Sequence, residues 1–137
     1  MRTRDLITTL GALAAAAVLA TGTANAAPAL TVESAMESNG NAVIGVSYAC
    51  TAGMGAELSV TVRENRYLGS GVNGTALAPA ICIGQPQLAT VTVNPVQLFG
   101  ELAEFQSGSL TDITVTVLDL ALKSPVTTTK KRFDHLG

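Results

Sequence analysis

Residues 42–51 read AVIGVSYACT and residues 57–64 read ELSVTVRE. In the first stretch Ile44, Val46, Tyr48 and Cys50 occupy alternate positions, with Gly45, Ser47 and Ala49 between them. In the second, Leu58, Val60 and Val62 alternate with Glu57, Ser59, Thr61 and Arg63. Successive side chains of a strand point to opposite faces, so a period of two gives one apolar and one polar face. Gly53-Met54-Gly55 supplies a turn between the two stretches. The pattern predicts two half-buried strands paired like a hairpin, with Cys50 on the core face.

The same alternation extends in both directions. Residues 29–34 (ALTVES) give a short first strand, followed by a turn at Asn39-Gly40-Asn41, where Asn and Gly accept positive φ cheaply. Residues 80–84 (AICIG) give a short strand that carries Cys82 into the core, ended by Pro86. Residues 88–93 (LATVTV) form the next strand, closed by Asn94-Pro95. In residues 112–122 (DITVTVLDLAL), Ile113, Val115 and Val117 alternate with threonines, and the apolar phase then flips to Leu118, Leu120 and Leu122. A bulge or a crossing between sheets absorbs such a flip. Ser124-Pro125 turns the chain into a last strand over 126–133 (VTTTKKRF). Its Lys130-Lys131-Arg132 run suits an edge, where lysine discourages strand addition. Two segments lack this rhythm. Residues 66–79 are Gly-rich and read as a loop, with a weak edge strand near Tyr67. Val96, Phe99, Leu102 and Phe105 keep helical spacing, which suggests a turn or two of helix within 96–109. About seven short strands with Gly and Pro turns predict an all-β fold, an immunoglobulin-like sandwich of two antiparallel sheets.

The chain has 137 residues, 47% of them hydrophobic and 13% charged, with a net charge of -2 and no Trp. Its length predicts one folded domain. Its low charge density argues against disorder, and its acidic balance against nucleic acid as a partner. Residues 1–26 have the features of a secretory signal peptide: Arg2 and Arg4, an Ala-rich apolar run from Leu6 to Ala20, and the small-x-small site Ala24-Asn25-Ala26. The predicted mature domain is 27–137, secreted to the extracellular space and free of membrane once cleaved. Cleavage leaves six of the eight basic and nine of the ten acidic residues, a net charge of −3. Two cysteines in an exported chain predict a structural disulfide, Cys50–Cys82, because CxxC redox spacing is absent. The loop it closes is worth about 3–4 kcal/mol in the chain-entropy account.

A signal ending in Ala-Asn-Ala, a strand VSYAC, a gap of 31 residues, a second cysteine in AICIG, and then DITVTVLD resemble small exported proteins of high-GC Gram-positive bacteria. The resemblance implies an immunoglobulin-like sandwich and carries over no catalytic residue. It departs from antibody domains in lacking Trp and in the early position of Cys82, so the bridge implied here joins the second strand to a middle one.

Each group that could carry chemistry also has a plain structural explanation. His135, the one histidine, lies two residues from the C-terminus, where a base lacks an orienting shell. Ser70 therefore has no histidine partner, and the spacing of Lys123, Lys130 and Lys131 does not suggest a Ser-Lys pair. Glu101 with Glu104, and Glu57 with Glu64, read as solvated charge rather than as a glycosidase pair. No Asp-rich loop suggests calcium, and Asn73-Gly74-Thr75 reads as a turn. These readings predict no enzyme, no cofactor, no metal and no catalytic residue. Loops on a rigid sandwich are where binding concentrates, so Arg66, Tyr67 and Leu68 form the candidate binding loop. The resulting expectation is a secreted, monomeric, non-enzymatic module that binds a protein or a cell-envelope ligand. The alternative is an inhibitor of an extracellular protease acting through loop 66–79.

Overall fold

A computed structural model describes residues 29–65, 71–96 and 104–137. Seven strands follow one another: β1 (Leu30–Ser38), β2 (Asn41–Tyr48), β3 (Ala56–Asn65), β4 (Val72–Ala80), β5 (Gln87–Val93), β6 (Leu110–Asp119) and β7 (Ser124–Phe133). They form two antiparallel sheets, ordered β1-β2-β5 and β4-β3-β6-β7. This is the expected all-β sandwich of immunoglobulin-like type, with the fourth strand paired to the third instead of joining the first sheet.

The alternation read in the sequence sets the inner faces. Ile44, Val46 and Tyr48 of β2, with Val32 of β1 and Val91 and Val93 of β5, face Leu58, Val60 and Val62 of β3 and Ile113, Val115 and Val117 of β6. All are buried, each contributing about 1.5–3 kcal/mol by leaving water. Phe105 and Leu136 seal one end of this core.

Several expectations need correction. β2 and β3 are not a hairpin: they belong to different sheets and face each other across the core. Both present an apolar face of equal rank, and burying two such faces favours stacking them. Residues 49–55 carry the chain from one sheet to the other. The hairpin partner of β2 is β1, which is longer than expected, and the two join through Asn39 and Gly40, at φ 53° and 82°. Two successive positive φ values define the type I′ turn that suits the twist of paired strands.

Residues 72–79, read as loop, belong with Ala80 to strand β4, and the Asn73-Gly74-Thr75 turn lies inside it. Its inward positions are Val72, Gly74, Ala76, Ala78 and Ala80, while Leu77 points out. Small residues inward and a leucine outward erase the hydropathic alternation. Gly74 is required, because a Cβ there would collide with the Asn94 carbonyl oxygen. Pro79 is tolerated because β4 is an edge strand. Residues 80–84 do not make a strand beyond Ala80, and Cys82 packs half-buried at the rim of the core.

The phase flip after Val117 has a local cause. The β6–β7 register shifts between Val117 and Leu118, and β6 ends at Asp119. Leu120 and Leu122 are exposed in the turn, whose Ala121 and Leu122 amides donate to Asp119 Oδ1 at 2.9 and 3.2 Å. The chain reverses there, with Lys123 at φ 53°, so Ser124 and Pro125 already belong to β7. Of the helical turns expected within 96–109, residues 97–103 lie outside the described residues, and residues 104–109 are not helical.

Candidate functional site

The disulfide joins Cys50 to Cys82 across a Cα–Cα distance of 4.8 Å. Three hydrogen bonds tie the same two segments together. The Ile81 amide donates to the Tyr48 hydroxyl at 2.8 Å, the Gly53 amide to the Cys82 carbonyl at 3.1 Å, and the Gly84 amide to the Cys50 carbonyl at 3.0 Å. The clamp sits at the end of the β3–β4 pair where Ala56 meets Ala80. Arg66, Tyr67 and Leu68, the candidate binding loop, lie outside the described residues, as does Ser70. The segment containing them connects the opposite end of that pair, where Glu64 meets Val72. The disulfide therefore fixes the end of the β3–β4 pair opposite to the one where Glu64 meets Val72.

The suspected acid and base groups are scattered. Glu57 and Glu64 lie on opposite faces of β3, seven positions apart. Glu64 is fully buried and its Oε2 accepts the Gln106 amide at 2.7 Å, whereas Glu57 faces outward. Glu101 lies outside the described residues. His135 is exposed, with Nδ1 3.3 Å from the Gly108 carbonyl oxygen. Lys123 is in the β6–β7 turn, away from Lys130 and Lys131 along β7. Among the described residues, no group of three or more His, Cys, Asp or Glu side chains is placed to hold a metal ion. Nor is any described helix long and apolar enough to cross a membrane.

What the fold does bring together is a groove on the outer face of the four-stranded sheet, about 560 Å³ in volume. It is lined by Thr61 and Arg63 of β3, Asp112, Ile113 and Thr114 of β6, and Lys130, Lys131 and Arg132 of β7. The antiparallel registers explain its layout. Arg63, Asp112 and Arg132 share one row across the three strands, and Thr61, Thr114 and Lys130 share the next. Asp112 Oδ1 pairs with Arg132 Nε at 2.8 Å, and Asp112 Oδ2 accepts from Arg132 Nη2 at 3.2 Å and from Asn65 Nδ2 at 2.9 Å. The Arg132 hydrogen bond chiefly holds the Asp112 carboxyl below the usual carboxylate range, so it stays charged in mildly acidic solution.

Lys131 is engaged differently. Its Nζ donates to the Val32 carbonyl at 3.3 Å, beside β1, and lies 5.2 Å from the centre of the Phe133 ring. Arg63 and Lys130 have no hydrogen-bond or ion-pair partner among the described residues, and both point into the groove. The groove thus gathers three cations, Arg63, Lys130 and Arg132, and one carboxylate on a chain with more acidic than basic residues, while the Lys131 ammonium turns toward β1. The basic run at 130–132 was visible in the sequence, but its neighbours were not. Arg63 and Asp112 join it only through the β3-β6-β7 pairing, which the expected β2–β3 hairpin concealed.

No protein-family model matches the chain, and no curated protein does. Solved structures of a β-glucuronidase from Bacteroides uniformis superpose on 80% of it. They include a crystal structure of the enzyme, at 14% identity and a TM-score of 0.39, and a calcium-binding mutant of β-glucuronidase 2, at 14% and 0.40. The chain spans 13% of the length of each. A likeness this loose carries no argument about the present protein.

Proposed function

We propose that the protein is an exported, non-enzymatic β-sandwich module that acts outside the cell by binding an anionic polymer of the cell envelope. The cationic groove on the outer face of the β4-β3-β6-β7 sheet carries this reading. Among the described residues Arg63 and Lys130 have no hydrogen-bond or ion-pair partner, although Arg63 acts electrostatically on the nearby Asp112 carboxylate, and the Thr114 hydroxyl shares the row of Lys130. Two long cationic side chains flanking hydroxyls offer charge to an acidic group and hydrogen bonds to a sugar or polyol. Asp112 holds Arg132 in place and so limits the net charge of the groove. The signal-like segment 1–26 and the disulfide both fit export to an oxidising compartment.

Polygalacturonate and dextran serve as charged and neutral probes for the oxidised protein. Binding to polygalacturonate, and not to dextran, is expected, weakening as salt rises from roughly 50 to 500 mM because exposed charges are screened. Arg63→Gln with Lys130→Gln should weaken it about tenfold or more, the equivalent of one lost charge-assisted contact. Equal binding of both polymers, or an unchanged double variant, overturns the assignment of the groove.

A further inference from the structure

A two-sheet sandwich has four edge strands, here β1, β5, β4 and β7. Each edge presents unpaired backbone groups that template pairing with another chain unless something guards them. Three of the four are guarded. Along β1, the Glu37 amide donates to the Gly137 carbonyl at 2.6 Å and the Gly137 amide to the Ala35 carbonyl at 3.2 Å, while Lys131 Nζ reaches the Val32 carbonyl. Along β7 run Lys130, Lys131 and Arg132, opposite a register shift near Pro125. Along β4, the Val96 amide donates to the Asn73 carbonyl at 2.8 Å, and Pro79 has no amide hydrogen to offer.

Among the described residues β5 has no such protection along its length; only its C-terminal end is approached by β4, where the Val96 amide meets the Asn73 carbonyl. Its sequence QLATVTV contains no charge and no proline, and it pairs with β2 alone among the described residues. Every second residue turns its N–H and C=O away from β2. Leu88 is 82% exposed at its start, and Thr90 and Thr92 are exposed beyond it. The neighbouring strand β2, NAVIGVSY, is also free of charge.

We propose that the open edge of β5 pairs with β5 of a second copy of this chain, antiparallel about a two-fold axis, joining two three-stranded sheets into one of six strands. The electrostatics select this occupant. A two-fold axis brings each residue near its own equivalent, so a charged edge repels itself, and β5 with β2 behind it offers two uncharged strands on each side. Strand addition supplies main-chain hydrogen bonds, and Leu88 leaves water on both copies. A contact of one seven-residue strand per copy is smaller than the standard interface of about 1,600 Å², so the association is reversible and concentration-dependent.

The test is sedimentation velocity on the oxidised full-length mature protein from roughly 10 μM to 1 mM, the range in which an interface of less than standard size assembles. The weight-average mass is expected to rise toward twice the monomer value. Thr90→Lys with Thr92→Lys, both on exposed positions, should hold the mass at the monomer value with unchanged melting. Thr128→Lys, exposed on β7, should dimerise as the parent does. A parent that stays monomeric throughout, a lysine pair that still dimerises, or loss of dimer in the β7 variant overturns the proposal. Polymer binding by the groove is read separately, so either result leaves the function to its own experiment.

Discussion

Reducing or removing the Cys50–Cys82 bridge tests how the sandwich end is held. The two cysteines are 32 positions apart. In the chain-entropy account, freeing a loop of that length returns roughly 12 cal/mol/K to the denatured chain, about 3.7 kcal/mol at 25 °C. For a domain of this size each kcal/mol corresponds to about 4 °C in Tm, so the predicted drop is ~15 °C. The Tyr48 hydroxyl, which holds the Ile81 amide at 2.8 Å, adds a second measurable contribution. With the bridge intact, Tyr48→Phe should cost about 1 kcal/mol, since the clamped Ile81 amide loses its acceptor. Once Cys50→Ala and Cys82→Ala free the loop, that amide can turn to water and the cost should fall toward zero. The non-additivity of the two changes is therefore predicted at about 1 kcal/mol. Urea unfolding followed by circular dichroism reads both effects, and the uncrosslinked protein should show a larger m value because its denatured chain is more open. Equal melting of the oxidised and reduced protein would refute the stabilising role of the bridge. Strict additivity would refute the picture of bridge and hydroxyl as one clamp.

Substitutions at two further positions, Glu64 and Gly74, probe the interior. Glu64→Leu should lose about 1–3 kcal/mol in urea unfolding because the Gln106 amide loses its buried acceptor, and Glu64→Gln, which keeps an acceptor oxygen, should lose less. Gly74→Ala, which drives a methyl against the Asn94 carbonyl oxygen, should lower stability by about 1–3 kcal/mol. Gly55→Ala, which meets open space, is the matched control and should leave melting nearly unchanged.

The parts of this fold legible in the sequence are those where large side chains alternate. β2, β3, β5 and β6 each bury Val, Ile, Leu or Tyr at every second position, and their faces were read correctly. β4 was missed because its inward residues are mainly Gly and Ala, too small to register as a hydrophobic face, although they fit where Asn94 approaches. Pairing was less legible than existence. Alternation says which way a side chain points and not which strand lies alongside, so two stretches separated by a Gly-Met-Gly turn looked like a hairpin when they form opposite walls of the core. The candidate site shared that limit. Lys130 and Arg132 stand out in a chain with few charges, but a groove needs three strands in register, and Arg63 reaches it from a position 67 residues before Lys130. The glycine-rich segment drew attention to Arg66, Tyr67 and Leu68 for composition alone, and those residues lie outside the described structure.

The two sheets divide their outer surfaces by chemistry, and the division has a consequence for avidity. The groove lies toward the β7 side of the sandwich, which packs beside β1, while the open β5 edge lies on the other side, beside β4. Pairing through β5 therefore leaves both grooves uncovered at the outer flanks of a dimer. On a polymer that repeats its acidic groups, the second groove binds at the effective concentration set by the first, which raises avidity without any new contact. The gain is lost if β5 cannot pair and also if Arg63 and Lys130 are neutral, so the two sets of substitutions should weaken polymer binding by separable routes. Compared with a charge-matched variant that carries two added lysines off the β5 edge, the lysine pair on β5 should bind a long polygalacturonate chain more weakly and a short oligomer that spans one groove equally. The glutamine pair in the groove should reduce both. Equal loss on long and short chains in the β5 variant would show that the edge acts on the groove itself and not through a second copy.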